Sequence, residues 1–238
     1  MAIAGTYLTL QQQIADELGD RQDLLAPLSD SALALSPIQN AIQSAIAKWE
    51  REPFYFNEYY AINLFNTVAD QEFYSVDDNP AIATMPKITK IHIIVNNNRY
   101  TIYPRTWSYL EDISVNPSVV TSIPVDYAYF AEMVRLYPIP DGAYAITLNG
   151  NDRVTDLANP TDANAWTEDA FDLIRSEAKL ILAEELLHDP DLAAETKTAI
   201  YGDPRSMFGF QQSRGYLYAL KAESARRAGQ GRIRPSYF

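Results

Sequence analysis

The sequence has no cysteine, two histidines and nine glycines among its 238 residues. Without thiols there is no disulfide scaffold, no Cys-ligated zinc, no iron–sulfur cluster and no thiol nucleophile. The two histidines, His92 and His188, leave any metal site dependent on carboxylates brought in by the fold, so no metal and no cofactor is expected. Positive charge is scarce as well. The 19 Lys and Arg stand against 31 Asp and Glu, a net charge of −12, which argues against a protein that grips nucleic acid with its whole surface. No apolar run approaches the roughly 20 residues that a membrane span needs. No basic stretch leads into an apolar one near Met1, so neither a membrane nor a secretory signal is expected.

Catalytic signatures are missing too. G-x-x-x-x-G-K-[ST], G-x-G-x-x-G and G-x-S-x-G are all absent. Asp77-Asp78-Asn79 looks like a fragment of a calcium loop but lacks the Gly and the distant Glu, and reads as a turn. Glu184-Glu185 invites a glycosidase reading, yet neighbours on a helix point about 100° apart and cannot flank one bond. No enzyme is expected.

What is present is a chain that is 47% apolar with 14 prolines, enough for one large domain or two modest ones to bury a core. Its order runs helices, strands, helices. Thr9 with Gln12 reads as a capping box ahead of Leu10, Ile14 and Leu18, and Gly19 supplies the stop. Ser36-Pro37 with Gln39 opens a second helix striped by Ile38, Ile42, Ile46 and Trp49, and Pro53 prevents its continuation. From Phe54 the period falls to two. Strands are predicted over 54–65, with Tyr60, Ile62 and Leu64 on one face, and over 71–76, 87–95, 99–103, 125–131, 133–137 and 144–149. Asn96-Asn97-Asn98 is a hairpin turn and Asp141-Gly142 reads as another. A short helix fits 106–114. Helical spacing returns at Thr167 as a cap, with Phe171, Ile174, Ala178, Ile181 and Leu182 lining one side. A helix over 191–201 closes at Gly202. Another over 204–228 tolerates Gly209 and Gly215 and ends at Gly229.

Charge is unevenly spread. Residues 207–238 carry Arg214, Lys221, Arg226, Arg227, Arg232 and Arg234 against Glu223 alone, a surplus of five that leaves −17 on the rest. Such an asymmetry marks a tail that meets an acidic surface on a partner or on a neighbouring copy. Residues 229–238 hold too little apolar content to fold alone and, extended, could reach about 33 Å. Sixteen Tyr, nine Phe and three Trp crowd the strand region. Most suit a β core, but aromatic rings are also the anchors of protein interfaces and of glycan-binding modules.

The order of elements resembles the head-to-tail adaptors, or tail accessory factors, of tailed double-stranded DNA phages. The residues that carry the likeness are Thr6-Tyr7-Leu8-Thr9-Leu10-Gln11, then Phe54-Tyr55-Phe56-Asn57-Glu58, the run from Arg135-Leu136-Tyr137-Pro138-Ile139-Pro140-Asp141-Gly142 to Leu148, and the long helix of 166–187. Asn149-Gly150 departs from it, standing where an aromatic such as Tyr is expected. The resemblance implies an α+β fold, a helical bundle with an inserted antiparallel β module and an extended C-terminal tail. Its parts are helices in 1–53, the β module in 54–150, helices completing the bundle in 151–228, and a docking tail in 229–238. It implies a structural virion protein at the head–tail junction, assembled in the host cytoplasm. There a ring, generally a dodecamer, docks on the portal protein, extends the DNA channel and carries the next tail protein, a nozzle or hub. DNA would pass through the lumen without specific binding, past an acidic bore that repels its phosphates. The expected portal-binding residues are Arg226, Arg227, Arg232, Arg234, Tyr237 and Phe238: guanidinium forks for portal carboxylates, aromatic rings for apolar pockets. The rival readings are a tail-associated glycan-binding module and a cell-wall glycoside hydrolase. Neither accounts for the Arg-bearing tail.

Overall fold

The computed structural model describes residues 5–27, 35–115, 121–154, 156–202 and 215–227. In chain order these form α1 (Tyr7–Glu17), a 3-10 turn (Gln22–Leu25), α2 (Pro37–Trp49), β1 (Glu58–Asn66), β2 (Phe73–Tyr74), α3 (Ala81–Thr84), β3 (Lys87–Val95), β4 (Asn98–Pro104) and α4 (Trp107–Ser114). There follow β5 (Asp126–Phe130), β6 (Met133–Tyr137), β7 (Ala145–Asn151), α5 (Ala165–Glu168), α6 (Phe171–Leu182), a π turn (Ala183–Leu187), α7 (Pro190–Tyr201) and α8 (Tyr216–Arg227). The fold is α+β. Contacts divide the chain into two units, one of residues up to Phe56 and from Val154 onward, the other spanning Asn57–Arg153.

The first unit is helical, and its core gathers Leu10, Ile14, Ile38, Ile42, Phe54, Trp166, Leu173, Ile174 and Ile200. The box at the head of α2 forms as the sequence indicates. Gln39 N–H donates to Ser36 Oγ at 3.1 Å, and Ser36 N–H donates to Gln39 Oε1 at 2.9 Å. Two other caps move. Thr6, not Thr9, caps α1, because starting one turn earlier buries Tyr7 against the core. Asn164, not Thr167, caps α5: its Oδ1 accepts from the amides of Trp166 and Thr167, and the Thr167 hydroxyl accepts from the Asn164 amide. That shift lets Trp166 point fully inward.

The long helix expected from Thr167 is broken between α5 and α6. It then widens into the π turn, which His188 closes in the left-handed region (φ 52°). Phe54 and Phe56 are not strand residues. They stack on each other at 5.4 Å and meet the Trp166 ring edge-on at 5.9 and 4.9 Å, so the aromatic run that looked β-like caps the helical core. Of the helix predicted over 204–228, residues 204–214 and 228 lie outside the described residues. Gly215 is not an interior helical glycine. It stands at the foot of α8, where a Cβ would come within 2.2 Å of the Ile200 carbonyl oxygen.

The second unit is a curled mixed sheet in the order β1-β7-β3-β4-β5-β6-β2, antiparallel except for β4 with β5. Alternation on β3 places Ile91 opposite Ile102 and Leu148, and Ile93 opposite Ile146, over a core completed by Tyr74, Tyr127, Val134 and Leu136. β1 does not keep its predicted face. A bulge between Ala61 and Phe65, with Asn63 at φ 54°, turns Phe65 inward to stack on Tyr74 at 5.0 Å and leaves Tyr60 and Ile62 exposed. Asn96 and Asn97 take positive φ and join β3 to β4 as expected. Asp141-Gly142 joins no hairpin. β6 pairs with β2 and β5, whereas β7 lies between β1 and β3, so this turn carries the chain across the sheet. Gly150 explains the departure noted after the strand: β7 continues to Asn151, and a Cβ on Gly150 would come within 2.3 Å of the Lys87 carbonyl oxygen.

Candidate functional site

Arg226 and Arg227 close α8 and are the described members of the proposed docking set; Arg232, Arg234, Tyr237 and Phe238 lie outside the described residues. Glu223, one turn back, holds both guanidiniums, and these two partners keep its carboxyl below the usual range. The two arginines nevertheless differ. Arg226 is 76% exposed, while Arg227 also lies over the Tyr55 ring, with its Cζ 3.7 Å from the ring centre. Tyr55 in turn donates its phenolic O–H to Asp169 Oδ1 at 2.7 Å. Burial first, and the Asp169 acceptor second, push that phenol up to about 12.

The Tyr55 backbone is fixed as well. Its N–H donates to Ser224 Oγ at 3.1 Å, and that hydroxyl donates to the Leu220 carbonyl at 2.8 Å. Lys221 adds an ion pair with Glu52 at 2.9 Å. The C-terminal half of α8 is therefore clamped to the segment after α2 by the Arg227–Tyr55 cation–π stack, the Tyr55–Ser224 hydrogen bond and the Lys221–Glu52 ion pair, and Tyr55 is tied in turn to Asp169 at the α5–α6 corner. The basic spacing on α8 was legible in the sequence. Tyr55 was not, because nothing local marks a tyrosine in an aromatic run as the seat of an arginine so distant along the chain.

Beside this clamp lies a cleft of about 430 Å³ between α1, the α5–α6 corner and α8. Glu168, Asp169 and Asp172 give it negative charge, and Phe171, Leu173 and Leu220 give it an apolar floor. Arg175 pairs with Asp172 one turn back on α6 at 2.8 Å and with Glu17 of α1 at 3.2 Å.

The other candidates do not assemble a catalytic centre. Glu184 pairs with Lys197 at 2.5 Å and lines one hollow with His188 and Asp189, whereas Glu185 lines a different one beside Pro37 and Asn40. The two carboxylates thus diverge. The His188 Nδ1–H donates to the Glu184 carbonyl at 3.0 Å, finishing the π turn. His92 lies on the outer face of β3 with Nδ1 3.1 Å from the Thr101 hydroxyl. Burial, then Arg99 and Lys90, lower its pKa. Asp78 accepts from the Ser75 amide at 2.8 Å and Asn79 from the Ala81 amide at 2.9 Å, which makes 77–79 a turn into α3. Among the described residues, no three His, Asp or Glu side chains are placed to hold a metal ion, and no helix is long and apolar enough to cross a membrane.

The sheet unit does carry an exposed aromatic row. Trp107 lies between Phe73 and Phe130, with centroids 5.8 and 5.4 Å away, and the two phenyl rings are 40% and 59% exposed. Beneath it sits Arg135, only 3% exposed, its guanidinium 5.4 Å from both Phe73 and Trp107. Surfaces of this kind are contact surfaces more than catalytic ones.

No curated protein matches the chain. The model of one family, described as SU10 adaptor protein, matches residues 5–233, almost the whole chain, and the protein accordingly belongs to this family of phage head-to-tail adaptors, structural components of the virion.

Proposed function

We propose that the chain is the repeating subunit of a head-to-tail ring, a dodecamer, which docks on a portal, prolongs the DNA channel and receives the next tail protein. The observation that supports docking through the C-terminal segment is the clamp on α8. It fixes the last described turn of the helix, so the eleven residues after Arg227, among them Arg232, Arg234, Tyr237 and Phe238, are joined to a firmly held point. Arg226, largely exposed beside this origin, would extend the charged contact by exchanging Glu223 for a portal carboxylate, while Arg227 secures the base. A segment that orders on binding wraps a large surface for its length, and twelve copies convert a modest affinity into a firm joint. The −17 carried by residues 1–206 suits a bore that repels passing phosphates.

The test is a pull-down with portal rings. The full chain is retained and yields twelve-fold density under the portal in electron microscopy. The chain lacking 229–238 folds, as judged by circular dichroism, and is not retained. Retention of the truncated chain at the full level would overturn the docking role.

A further inference from the structure

Most of the large apolar side chains left exposed among the described residues belong to the sheet unit, although the helical unit is the longer of the two. They include the cores of two patches of opposite charge. We propose that these patches are the complementary halves of one contact, through which the sheet unit of one copy packs head to tail on the sheet unit of the next. The inference rests on the ring reading only for its closure, since two copies can meet in this way without a portal.

The first patch is the aromatic row. Phe73 stands opposite Arg135 on the outside of the sheet, and with Trp107 and Phe130 it presents ring faces to solvent. Carboxylates stand along it at three points: Glu72 next to Phe73, Glu111 one turn from Trp107 on α4, and Glu132 just beyond Phe130. Arg135 pairs with both Glu72 and Glu111, so one cation answers three acids and the rim stays negative. Exposed rings and carboxylates together favour a cation from outside, because the quadrupole and the charges act in the same direction.

The second patch lies on the outside of β1, β7, β3 and β4. Tyr60 and Lys90 flank Asn149 of β7, and the Arg99 guanidinium is 5.5 Å from the Tyr60 ring centre. Lys90 and Arg99 are exposed, and no ion pair among the described residues holds either of them. Their field is felt locally: after burial, Arg99 and Lys90 are what hold the His92 pKa down. Glu58 shares this face, but Lys87 stands across Asn151 from it and offsets it. Ile62, 64% exposed, adds apolar area near Tyr60.

The charges decide the occupant, and the fold decides that it comes from another copy. Ile91 and Ile93 lie beneath the cationic patch, Tyr74 and Val134 beneath the aromatic one, and all four belong to the same core. That core separates the patches, which occupy opposite ends of the strand order, so they cannot meet within one chain. A subunit with two unlike, complementary patches associates heterologously, and a fixed rotation at each contact closes the series into a ring. One such contact is weak, because its charges are exposed and screened by salt. In a closed ring every copy makes two, and the joint gains from the multiplicity.

Because the chain lacks cysteine, introduced thiols report the contact without background. One full-length variant carries Thr89→Cys beside Lys90, another Ser108→Cys beside Trp107, both at exposed positions. Each is oxidised mildly at high concentration, alone and mixed in equal amounts, both free and retained on portal rings, and run without reductant. The mixture gives about tenfold more disulfide dimer than either variant alone, since a head-to-tail contact brings unlike thiols together. Adding Lys90→Glu and Arg99→Glu to the Thr89→Cys chain lowers that yield about tenfold with the circular dichroism unchanged, because like charges then face the carboxylate rim. Glu132→Lys in the Ser108→Cys chain restores part of it. A mixture no richer in dimer than the single variants, in both the free and the portal-bound samples, would overturn the proposal, and so would indifference to the charge reversal. Dimers of either variant alone at the level of the mixture would overturn it too, by assigning that patch to a two-fold contact. Portal retention is read on the unaltered chain, so loss of docking leaves the free-chain cross-link standing, and loss of the cross-link leaves docking standing.

Discussion

The two units bury opposite charges, and each satisfies its own in a different way. The helical unit hides the carboxylate of Glu177, 2% exposed, between α6 and α2. Lys48 Nζ donates to it at 2.5 Å and Trp49 Nε1 at 3.2 Å. The sheet unit hides the guanidinium of Arg135, which donates to Glu72 at 2.5 Å, Glu111 at 2.8 Å and Ser114 Oγ at 2.9 Å between two aromatic faces. Glu177 has a half-exposed cation that can turn back to water if the carboxylate is lost. Arg135 ties β6 at once to Glu72 beside β2, to Glu111 and Ser114 of α4 and to the aromatic row, so removing it leaves two carboxylates without their cation and two rings without the guanidinium beneath them. A buried charge therefore matters by the number of partners that depend on it, beyond the energy of any one pair.

The largest expected effect breaks that contrast directly. Arg135→Ala lowers the stability of the sheet unit by about 3–5 kcal/mol, and Glu177→Ala lowers that of the helical unit by about 2–4 kcal/mol. Trp107 reports the former in urea titrations, and Trp49 with Trp166 the latter; equal losses would erase the distinction. Joined in one chain, the two substitutions add, since they share no partner.

Next come the tight glycines, one in each unit. Gly150→Ala and Gly215→Ala each force a methyl into a backbone carbonyl and cost about 1–3 kcal/mol, seen as a lowered urea midpoint of the matching unit. A smaller gain sharpens the comparison within the sheet. Ala131 and Glu132 turn β5 into β6 at φ 51° and 59°, the geometry that Asn96-Asn97 supplies between β3 and β4. Replacing the pair by Asn-Gly adds about 1 kcal/mol to the sheet unit, whereas Asn96→Ala removes a similar amount.

The smallest effects are titrations. The His92 pKa is depressed, so its contribution is complete above the ordinary histidine value and is lost as pH falls through the lowered one. Lys90→Gln moves its NMR titration upward. The Tyr55 pKa is raised, so its hydrogen bond to Asp169 contributes fully below pH 10 and is lost as pH climbs through about 12, visible in the phenolate absorbance. An unshifted Tyr55 would show its hydroxyl open to water and free of Asp169 in solution.

Much of this was legible locally. The Ser36 box, the stop at Gly19, the β3 alternation and the paired asparagines all follow from residues within a few places of one another, where side chain and backbone decide the outcome together. The errors share a cause. Thr9 and Thr167 are good caps by type, but burial of Tyr7 and Trp166 chose Thr6 and Asn164 instead. Asp141-Gly142 is a good hairpin turn by type, but its flanking strands found other partners. The β5–β6 turn carries no Asn or Gly and was invisible as a type I′ turn. In the candidate site, Arg226 and Arg227 were readable as basic. Their unlike roles were not, because the difference lies in Tyr55 and Asp169, which come close only after folding.

By itself, then, the sequence determined the period of each segment, the split between an acidic body and a basic end, and the absence of thiol chemistry, since each depends on composition or on neighbours along the chain. Strand order, the two buried charges, the clamp on α8 and the cleft beside it were decided only in the tertiary structure. Alternation says which face of a strand is apolar but not which strand lies beside it; that choice belongs to the summed burial of residues far apart in the chain.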